Sequence, residues 1–417
     1  MSGSGLLITD ARLDGERVGL RCAPDGTIAA LGPEVVAAPG EETLDAASAI
    51  LVPPLVNGHT HAAMTLFRGS GGDLPLMPWL EERIWPVEAR MSSEDVYWGT
   101  RLACLEMIRS GTSRFWDMYW HPEATARAVA DAGMRASIGA PFFDKGRDVA
   151  AMREEAVEHL DTLSAFGGLV DPALAPHSIY MVSRESLRFI AELSAERDAP
   201  VQIHLSETKP EVDDCIGEHG RRPAAYLDGL GLLTERTLLA HGVWLDDEEL
   251  DLIAARGATV VSNPAANMKL AVGKVFDYPS ARAAGVRVGL GTDGAGSNDS
   301  LDLLADLKLF ALAQRHAAAD ATAISVGDAW TVATGAKAPL LGATPLEVGA
   351  PADFLLLDPA APELAIGDLT ADLIYAADRT AVDTVVVAGR VLMRGGVQPE
   401  RDEVVAKARE HAKRLGL

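Results

Sequence analysis

The sequence predicts an α/β protein in which a (β/α)8 TIM-like barrel carries a small β-sandwich domain formed by both termini. Between residues 53 and 345, apolar β-branched runs alternate with helical patterns, which indicates parallel strands joined by right-handed crossovers. Eight such runs would close a barrel, with its site at the carboxyl ends of the strands. Residues 1–52 and 346–417 are instead rich in short strands, so we expect them to form one domain together.

The two ends of the chain share a pattern of short apolar runs separated by turn residues. Asp14-Gly15 and Asp25-Gly26 are typical of tight hairpin turns. A charged helix is predicted at the very end, over residues 403–417. The predicted strands of this domain cover residues 6–8, 18–20, 27–31, 352–358 and 382–390.

The central segment opens with an apolar stretch that runs through two prolines and ends in two histidines. With this stretch, the number of predicted barrel strands is eight. These strands cover residues 52–61, 112–119, 135–143, 173–178, 201–207, 237–243, 259–267 and 286–293. Helical patterns between them include residues 93–109, 122–132, 183–196, 246–256 and 300–316.

Composition excludes several classes of protein. Acidic residues outnumber basic ones by 60 to 37, and the net charge of −23 repels nucleic acid and anionic membranes. A neutral or cationic small-molecule substrate would suit this charge. Three cysteines without a CxxC pair argue against a disulfide framework and suit the reducing cytoplasm. Residues 1–5 lack a basic start, so neither a signal peptide nor a membrane span is expected.

Several polar residues whose side chains can bind a metal lie together at the carboxyl ends of the predicted strands. Strand one ends in His59 and His61, and because side chains two apart on a strand share a face, both imidazoles should converge on one ion. One such histidine alone would be interpreted as structural, but the joint pattern favours a functional site. The other candidates are His177, His204, Glu207, His241 and Asp293. The remaining histidines, His121, His159, His219, His316 and His411, are expected at the surface.

These residues lie in motifs that resemble the amidohydrolase superfamily. The motifs are NGHTH at 57–61, APHS at 175–178, IHLSET at 203–208, LAHGV at 239–243 and GTDGAGSN at 291–298. Within the superfamily, the chain is similar to deaminases of 5′-methylthioadenosine and S-adenosylhomocysteine, close to the triazine chlorohydrolases. The segments at 68–69, 78–80, 85–88, 117–119 and 263–270 also match this branch.

The resemblance implies a metal centre with four protein ligands, and three imidazoles with a carboxylate suit zinc. Iron or manganese would also fit. Two-metal members of the superfamily carry a lysine at the end of strand four, where this chain has His177, so one divalent metal per chain is expected. The implied ligands are His59, His61, His204 and Asp293.

The resemblance also implies roles for the neighbouring side chains. Glu207 would take a proton from water and give it to a ring nitrogen. His241 would orient that water, and Asp293 would accept a proton from it. His177 and Glu88 would contact substrate, with Glu88 accepting hydrogen bonds from a ribose diol. The implied reaction is hydrolytic deamination of an adenine nucleoside to its inosine analogue and ammonia. A homo-oligomer is also expected.

The nature of the 5′ substituent is predicted from the loop after strand three. Some relatives that accept the homocysteine group carry arginines there, whereas residues 138–146 begin with small and aromatic residues, including Phe142 and Phe143. Neutral 5′ groups are therefore expected to be accepted at least as well. Three alternatives remain open: hydrolysis of another heterocycle such as a guanine-like base, pterin or triazine; a two-metal cyclic-amide hydrolase; and a non-catalytic homologue.

Overall fold

The computed structural model describes residues 5–70, 74, 76–144 and 146–417. The expectation that no leader peptide is present concerns residues 1–4, which lie outside these ranges, as does Lys145. Within these ranges, none of the helices combines the length and the apolar character that crossing a membrane requires.

Strands and helices alternate through the middle of the chain, as predicted. The strands are β1 (Leu6–Leu13), β2 (Glu16–Cys22), β3 (Ile28–Gly32), β4 (Glu42–Asp45), β5 (Ile50–Val52), β6 (Leu55–Thr60), β7 (Thr112–Met118), β8 (Arg135–Gly139), β9 (Pro141–Phe142), β10 (Val170–Pro172), β11 (Ala175–Pro176), β12 (Val201–Leu205), β13 (Thr237–His241), β14 (Thr259–Ser262), β15 (Arg287–Leu290), β16 (Phe354–Leu357), β17 (Val382–Val387) and β18 (Arg390–Met393). The α-helices are α1 (Leu76–Trp79), α2 (Trp85–Glu88), α3 (Ser93–Arg109), α4 (Pro122–Ala132), α5 (Val149–Ser164), α6 (Arg184–Arg197), α7 (Lys209–His219), α8 (Pro223–Gly229), α9 (Asp247–Arg256), α10 (Pro264–Lys269), α11 (Tyr278–Ala284), α12 (Leu303–Ala318), α13 (Val326–Thr334), α14 (Leu369–Tyr375) and α15 (Arg401–Leu415). A π-helical turn, Leu80–Ile84, joins α1 to α2, and short 3₁₀ helices cover Ala62–Phe67, Pro339–Leu341, Pro362–Leu364 and Arg379–Ala381.

The central strands form two parallel sheets that together make a ring. One sheet has the order β10-β8-β7-β6 and the other β12-β13-β14-β15. A parallel bridge between Leu174 and Val201 joins them on one side. On the other side, the backbone N–H of Asp293, just after β15, donates to the carbonyl of His59 in β6 at 3.0 Å. The α/β architecture with a TIM-like ring of parallel strands is therefore confirmed.

Several predicted strands are shorter in the structure because specific residues end them. The run at 259–267 stops at Ser262, since Pro264 stands at the first position of α10, where its fixed φ favours a helix. The run at 135–143 is interrupted at Ala140, giving β8 and β9. Of the run at 173–178 only β11 is a strand, and β10 lies just before this run. The helix predicted from 300 begins at Leu303, because the Asp302 side chain caps it by accepting from the N–H groups of the first turn.

Strands from both ends of the chain hydrogen-bond into one eight-stranded sheet. Its order is β18-β17-β16-β5-β1-β2-β3, with β4 paired to β1, and antiparallel pairing of β5 with β16 joins the two ends. A buried ion pair connects this sheet to the barrel: Arg135 of β8 donates to Asp353 through Nε at 2.7 Å and through Nη2 at 3.2 Å. Asp353 also accepts from the backbone N–H of Ala388 at 2.7 Å.

The C-terminal helix α15 packs against the barrel helix α3 and the 3₁₀ helix Ala62–Phe67. His411 contacts the fully buried carboxylate of Asp95 through Nδ1 at 2.8 Å, and Arg414 donates to the same carboxylate. Arg90 donates to the carbonyl of Leu415 at 2.9 Å. The end of the chain therefore binds the segment that follows the first metal-ligand motif.

Candidate metal and substrate site

The end of β6 is tied to the end of β15 by a pair of side-chain hydrogen bonds. The Asn57 amide donates to Thr292 Oγ1 at 2.8 Å and accepts from the Thr292 backbone N–H at 3.0 Å. Both residues are fully buried. This contact places Asp293 beside His59 and His61, although more than 230 residues separate them in the chain.

Backbone carbonyls fix the tautomers of two of the candidate ligands. His61 Nδ1 lies 2.6 Å from the carbonyl of Met118, and His204 Nδ1 lies 2.7 Å from the carbonyl of His177. Because a carbonyl can only accept, each Nδ1 carries the proton and each Nε2 presents a lone pair. The two Nε2 atoms face each other at 3.3 Å, which is unfavourable unless a cation lies between them.

Asp293 completes the cluster from the opposite side. Its Oδ1 lies 3.3 Å from His61 Nε2 and 3.6 Å from His59 Nε2, and its Oδ2 accepts from Ser297 Oγ at 2.7 Å. Burial acts to raise the pKa of Asp293, but the surrounding histidines hold it below its ordinary value. The carboxylate is therefore ready to bind a cation as an anion.

The donor set fits a divalent metal. Both ring nitrogens of His59 are buried and lack a well-formed hydrogen bond to any described residue. Burial also holds the pKa of this imidazole well below its ordinary value, which leaves it neutral, the form that metals bind. When four ligand atoms surround zinc as a tetrahedron at about 2.0–2.1 Å from the metal, they lie about 3.3–3.4 Å from one another. The separations of 3.3, 3.3 and 3.6 Å between the candidate ligand atoms are close to this value. His59, His61 and Asp293 form one group of potential ligands, and His59, His204 and His241 form another.

Glu207 and His241 face each other at the edge of this cluster. His241 Nδ1 lies 2.8 Å from Asn267 Oδ1, so Nδ1–H donates and Nε2 is free, 4.0 Å from Glu207 Oε2. Burial raises the pKa of Glu207. Burial acts to lower the pKa of His241, but the charges of Glu207 and Asp293 outweigh it and raise that pKa.

Two residues that sequence reasoning missed hold this pair in place. Glu211 accepts from the backbone N–H groups of Ser206 and Glu207 at 2.8 and 2.9 Å, and thereby fixes the turn that presents Glu207. Asn267 fixes the tautomer of His241. Asn267 lies in the motif at 263–270, but nothing in that motif indicated a contact with strand six.

Glu88 and His177 lie on the walls of the same cavity, which has a volume of about 800 Å³ and is also lined by His61, Glu207 and Asp293. The half-buried carboxylate of Glu88 accepts from the Tyr119 hydroxyl at 2.7 Å, and burial raises the pKa of this carboxyl. Burial also lowers the pKa of His177 to about 3, so this imidazole is neutral.

One residue that lines the cavity bears on the expectation about the 5′ substituent. Arg147 lines the cavity, and its guanidinium lies 4.5 Å from the ring centroid of Trp120 and 4.9 Å from that of Phe143. An arginine does therefore follow strand three, one residue beyond the segment on which the expectation rested. Arg147 places a cation at the cavity, and the expectation that neutral groups are accepted at least as well stays a prediction.

The five histidines expected at the surface differ in their exposure. His121 and His316 are exposed, whereas His159, His219 and His411 are half-buried. His121 and His159 also line the cavity.

Comparison with known proteins identifies the class that this fold and site define. The amidohydrolase family profile matches residues 50–392, and the chain belongs to that family. It is 46% identical over 383 residues to a 5′-deoxyadenosine deaminase from Methanoregula boonei, covering 90% of this chain and 86% of the relative. It is 42% identical over 380 residues to 5-methylthioadenosine/S-adenosylhomocysteine deaminase 1 from Archaeoglobus fulgidus, covering 89% of this chain and 90% of the relative. An adenosine deaminase from Xanthomonas campestris, solved with bound zinc, superimposes with a TM-score of 0.92 at 34% identity over 98% of each chain.

Proposed function

We propose that the protein is a metal-dependent hydrolytic deaminase of adenine nucleosides, of the 5′-methylthioadenosine, S-adenosylhomocysteine, adenosine or 5′-deoxyadenosine type. The observation that carries the proposal is the single cavity shared by a metal-binding cluster, a buried glutamate and a second carboxylate. The names of the curated relatives support the same class of substrate. The products would be the corresponding inosine analogue and ammonia.

One divalent ion, zinc, would be held by the four ligands implied by the motifs. Such an ion, when bound, lowers the pKa of a coordinated water so that hydroxide is available at neutral pH. The zinc bound to the similar deaminase supports this choice of metal. Elemental analysis should give one ion per chain, and two would contradict the proposal. The proposed ligands are His59, His61, His204 and Asp293.

Proton transfer is assigned to Glu207. Its carboxylate would accept a proton from the attacking water and deliver it to a nitrogen of the purine ring, while the 6-amino group leaves as ammonia. His241 presents a free Nε2 toward the cluster because Asn267 accepts from its Nδ1–H, so it can orient and polarise the same water. Asp293 would accept the second proton of that water and return it to the 6-amino group, which then leaves as ammonia. His177 would contact the substrate as a neutral imidazole.

Recognition of the ribose is assigned to Glu88. An ionised carboxylate offers only acceptors, and a 2′,3′-diol offers two donors. Hydrogen bonds to charged groups contribute about 1.5–3 kcal/mol each, so losing one should cost roughly ten- to a hundred-fold in kcat/KM. A free base or a triazine has no diol, so this residue also separates nucleosides from the alternative heterocycles.

A coupled ammonia assay tests this proposal. In wild-type enzyme, kcat/KM for adenosine should exceed that for adenine or 2′,3′-dideoxyadenosine by more than the roughly ten- to a hundred-fold expected for one hydrogen bond. Glu88→Ala should remove most of this margin. The control is Glu82→Ala, an exposed glutamate of the same loop, which should leave the margin unchanged. A preference for free bases, or equal rates with the dideoxy substrate, would refute the assignment.

The 5′ end of the substrate should reach the outer part of the cavity. Arg147 supplies a cation there, so a carboxylate-bearing 5′ group is as compatible with the site as a methylthio group or hydrogen. Assaying S-adenosylhomocysteine beside 5′-methylthioadenosine and 5′-deoxyadenosine in wild-type enzyme and in Arg147→Ala measures this contribution.

We also propose a domain division and a cellular context. Residues 1–52 and 346–417 would form a small β-sandwich domain and residues 53–345 the barrel, which the sheet shared by both ends of the chain supports. A homo-oligomer in the cytoplasm, without nucleic-acid or membrane partners, would agree with three buried free thiols and a net charge of −23.

A further inference from the structure

Met118, the last residue of β7, and Tyr119, which follows it, contact two different residues of the site. The carbonyl of Met118 accepts from His61 at 2.6 Å, which orients an imidazole of the metal cluster. The next residue, Tyr119, donates its hydroxyl to Glu88 Oε1 at 2.7 Å. A single strand end therefore connects the metal cluster to the carboxylate that we assign to the ribose.

Tyr119 is itself held firmly. Its side chain is 3% exposed and packs in a cluster with Met64, Ile84 and Met91. Its backbone N–H donates to the carbonyl of Gly139 at 3.3 Å. The hydroxyl also lies 3.6 Å from the sulfur of Met91, which is a weaker acceptor than a carboxylate. The ring therefore cannot move away without disturbing this cluster.

Glu88 depends on such outside contacts for its position. It is the last residue of α2, which has only four residues, and the helix precedes a turn that leads into α3. Tyr119 donates to its carboxylate from a different element, at the end of β7. Burial, reinforced by the charge of Glu88, raises the pKa of Tyr119 far above its ordinary value, so the phenol keeps its proton and remains a donor.

We propose that Tyr119 is a positioning residue that fixes the Glu88 carboxylate relative to the metal cluster and thereby sets the preference for nucleosides over substrates without a diol. This inference rests on the proposed function. The phenol uses one of the roughly four lone-pair sites of a carboxylate, so the others remain available to the two ribose hydroxyls.

Tyr119→Phe removes only the hydroxyl and keeps the ring that packs in the cluster. For adenosine we expect kcat/KM to fall roughly ten-fold, mainly through KM, because the lost contact acts on binding in ground and transition states alike. Turnover of 2′,3′-dideoxyadenosine and the metal content should not change. Tyr278→Phe is the matched control, since this buried tyrosine packs against Phe310 and does not line the cavity.

A double-mutant cycle with Glu88→Ala separates positioning from a merely structural role. If Tyr119 acts through Glu88, Tyr119→Phe should have no further effect on adenosine turnover in the Glu88→Ala background. Three outcomes would each overturn the inference while leaving the role of Glu88 intact. The losses of kcat/KM in the two single variants could be additive in the double variant, the loss in Tyr119→Phe could be equal for adenosine and its dideoxy analogue, or Tyr119→Phe alone could show no loss. If Glu88→Ala itself leaves the adenosine margin unchanged, the proposed ribose contact fails and this inference fails with it.

Discussion

Replacing Glu207 with glutamine tests the centre of the proposed mechanism. The substitution keeps the size of the side chain and removes its ability to carry a proton. Glu207 is 6% exposed, and His241 Nε2, which can also accept a proton, lies 4.0 Å from its carboxylate. Glu211 holds the backbone of Glu207 and not its side chain, so the turn should be preserved in the variant.

The expected loss follows from what a buried proton carrier contributes. General acid–base groups supply about 10²–10⁴-fold, which corresponds to about 2.7–5.4 kcal/mol of barrier. Because Glu207 is buried, bulk solvent cannot easily take its place. We therefore expect kcat of Glu207→Gln to fall toward the upper end of that range, with metal content unchanged.

Ammonia release from adenosine measures kcat, and elemental analysis measures the metal. Glu218→Gln is the control, because this side chain lies on α7, the helix that follows Glu207, and is 76% exposed. A loss of less than ten-fold in Glu207→Gln would refute its role as proton carrier. Loss of the metal together with activity would show that Glu207 supports the metal cluster instead.

Two further predictions concern stability and reactivity away from the site. Asp353→Asn should lower the free energy of unfolding by about 3–5 kcal/mol, because it breaks a buried ion pair and leaves Arg135 without its counter-charge. Urea denaturation measures this free energy. The double variant Asp353→Leu with Arg135→Met should recover most of the lost stability. Burial raises the pKa of all three cysteines to about 12, so a disulfide reagent at pH 8 should modify none in the native protein and three in denaturant; rapid native labelling would contradict this. The three are Cys22, Cys104 and Cys215.

Much of the candidate site could be predicted because barrel topology converts sequence position into spatial position. His59, His204 and Asp293 each lie near the carboxyl end of a predicted strand, and in a closed ring of parallel strands the carboxyl ends meet. A strand boundary that is wrong by several residues, as at 259–267, does not affect this argument. The apolar runs needed only to be counted and ordered correctly.

The residues that hold the site together could not be predicted in this way. Asn267 reaches His241 from a short helix after the neighbouring strand, and Glu211 reaches back to the turn before its own helix. Tyr119 was part of a matching motif without an assigned role. Each contact depends on side-chain direction and on how far one element lies from another, and neither quantity can be read from hydrophobic periodicity.

The position of α15 shows why a domain boundary drawn from composition describes only part of the fold. Residues 346–417 were grouped with the N-terminal strands, and β16, β17 and β18 do pair with those strands. The helix that follows crosses to the barrel, where His411 binds Asp95 at the start of α3. Arg90, two residues after Glu88, donates to the carbonyl of Leu415. Helix α15 therefore contacts the segment just after α2, which carries the proposed ribose carboxylate, while Tyr119 donates to that carboxylate itself.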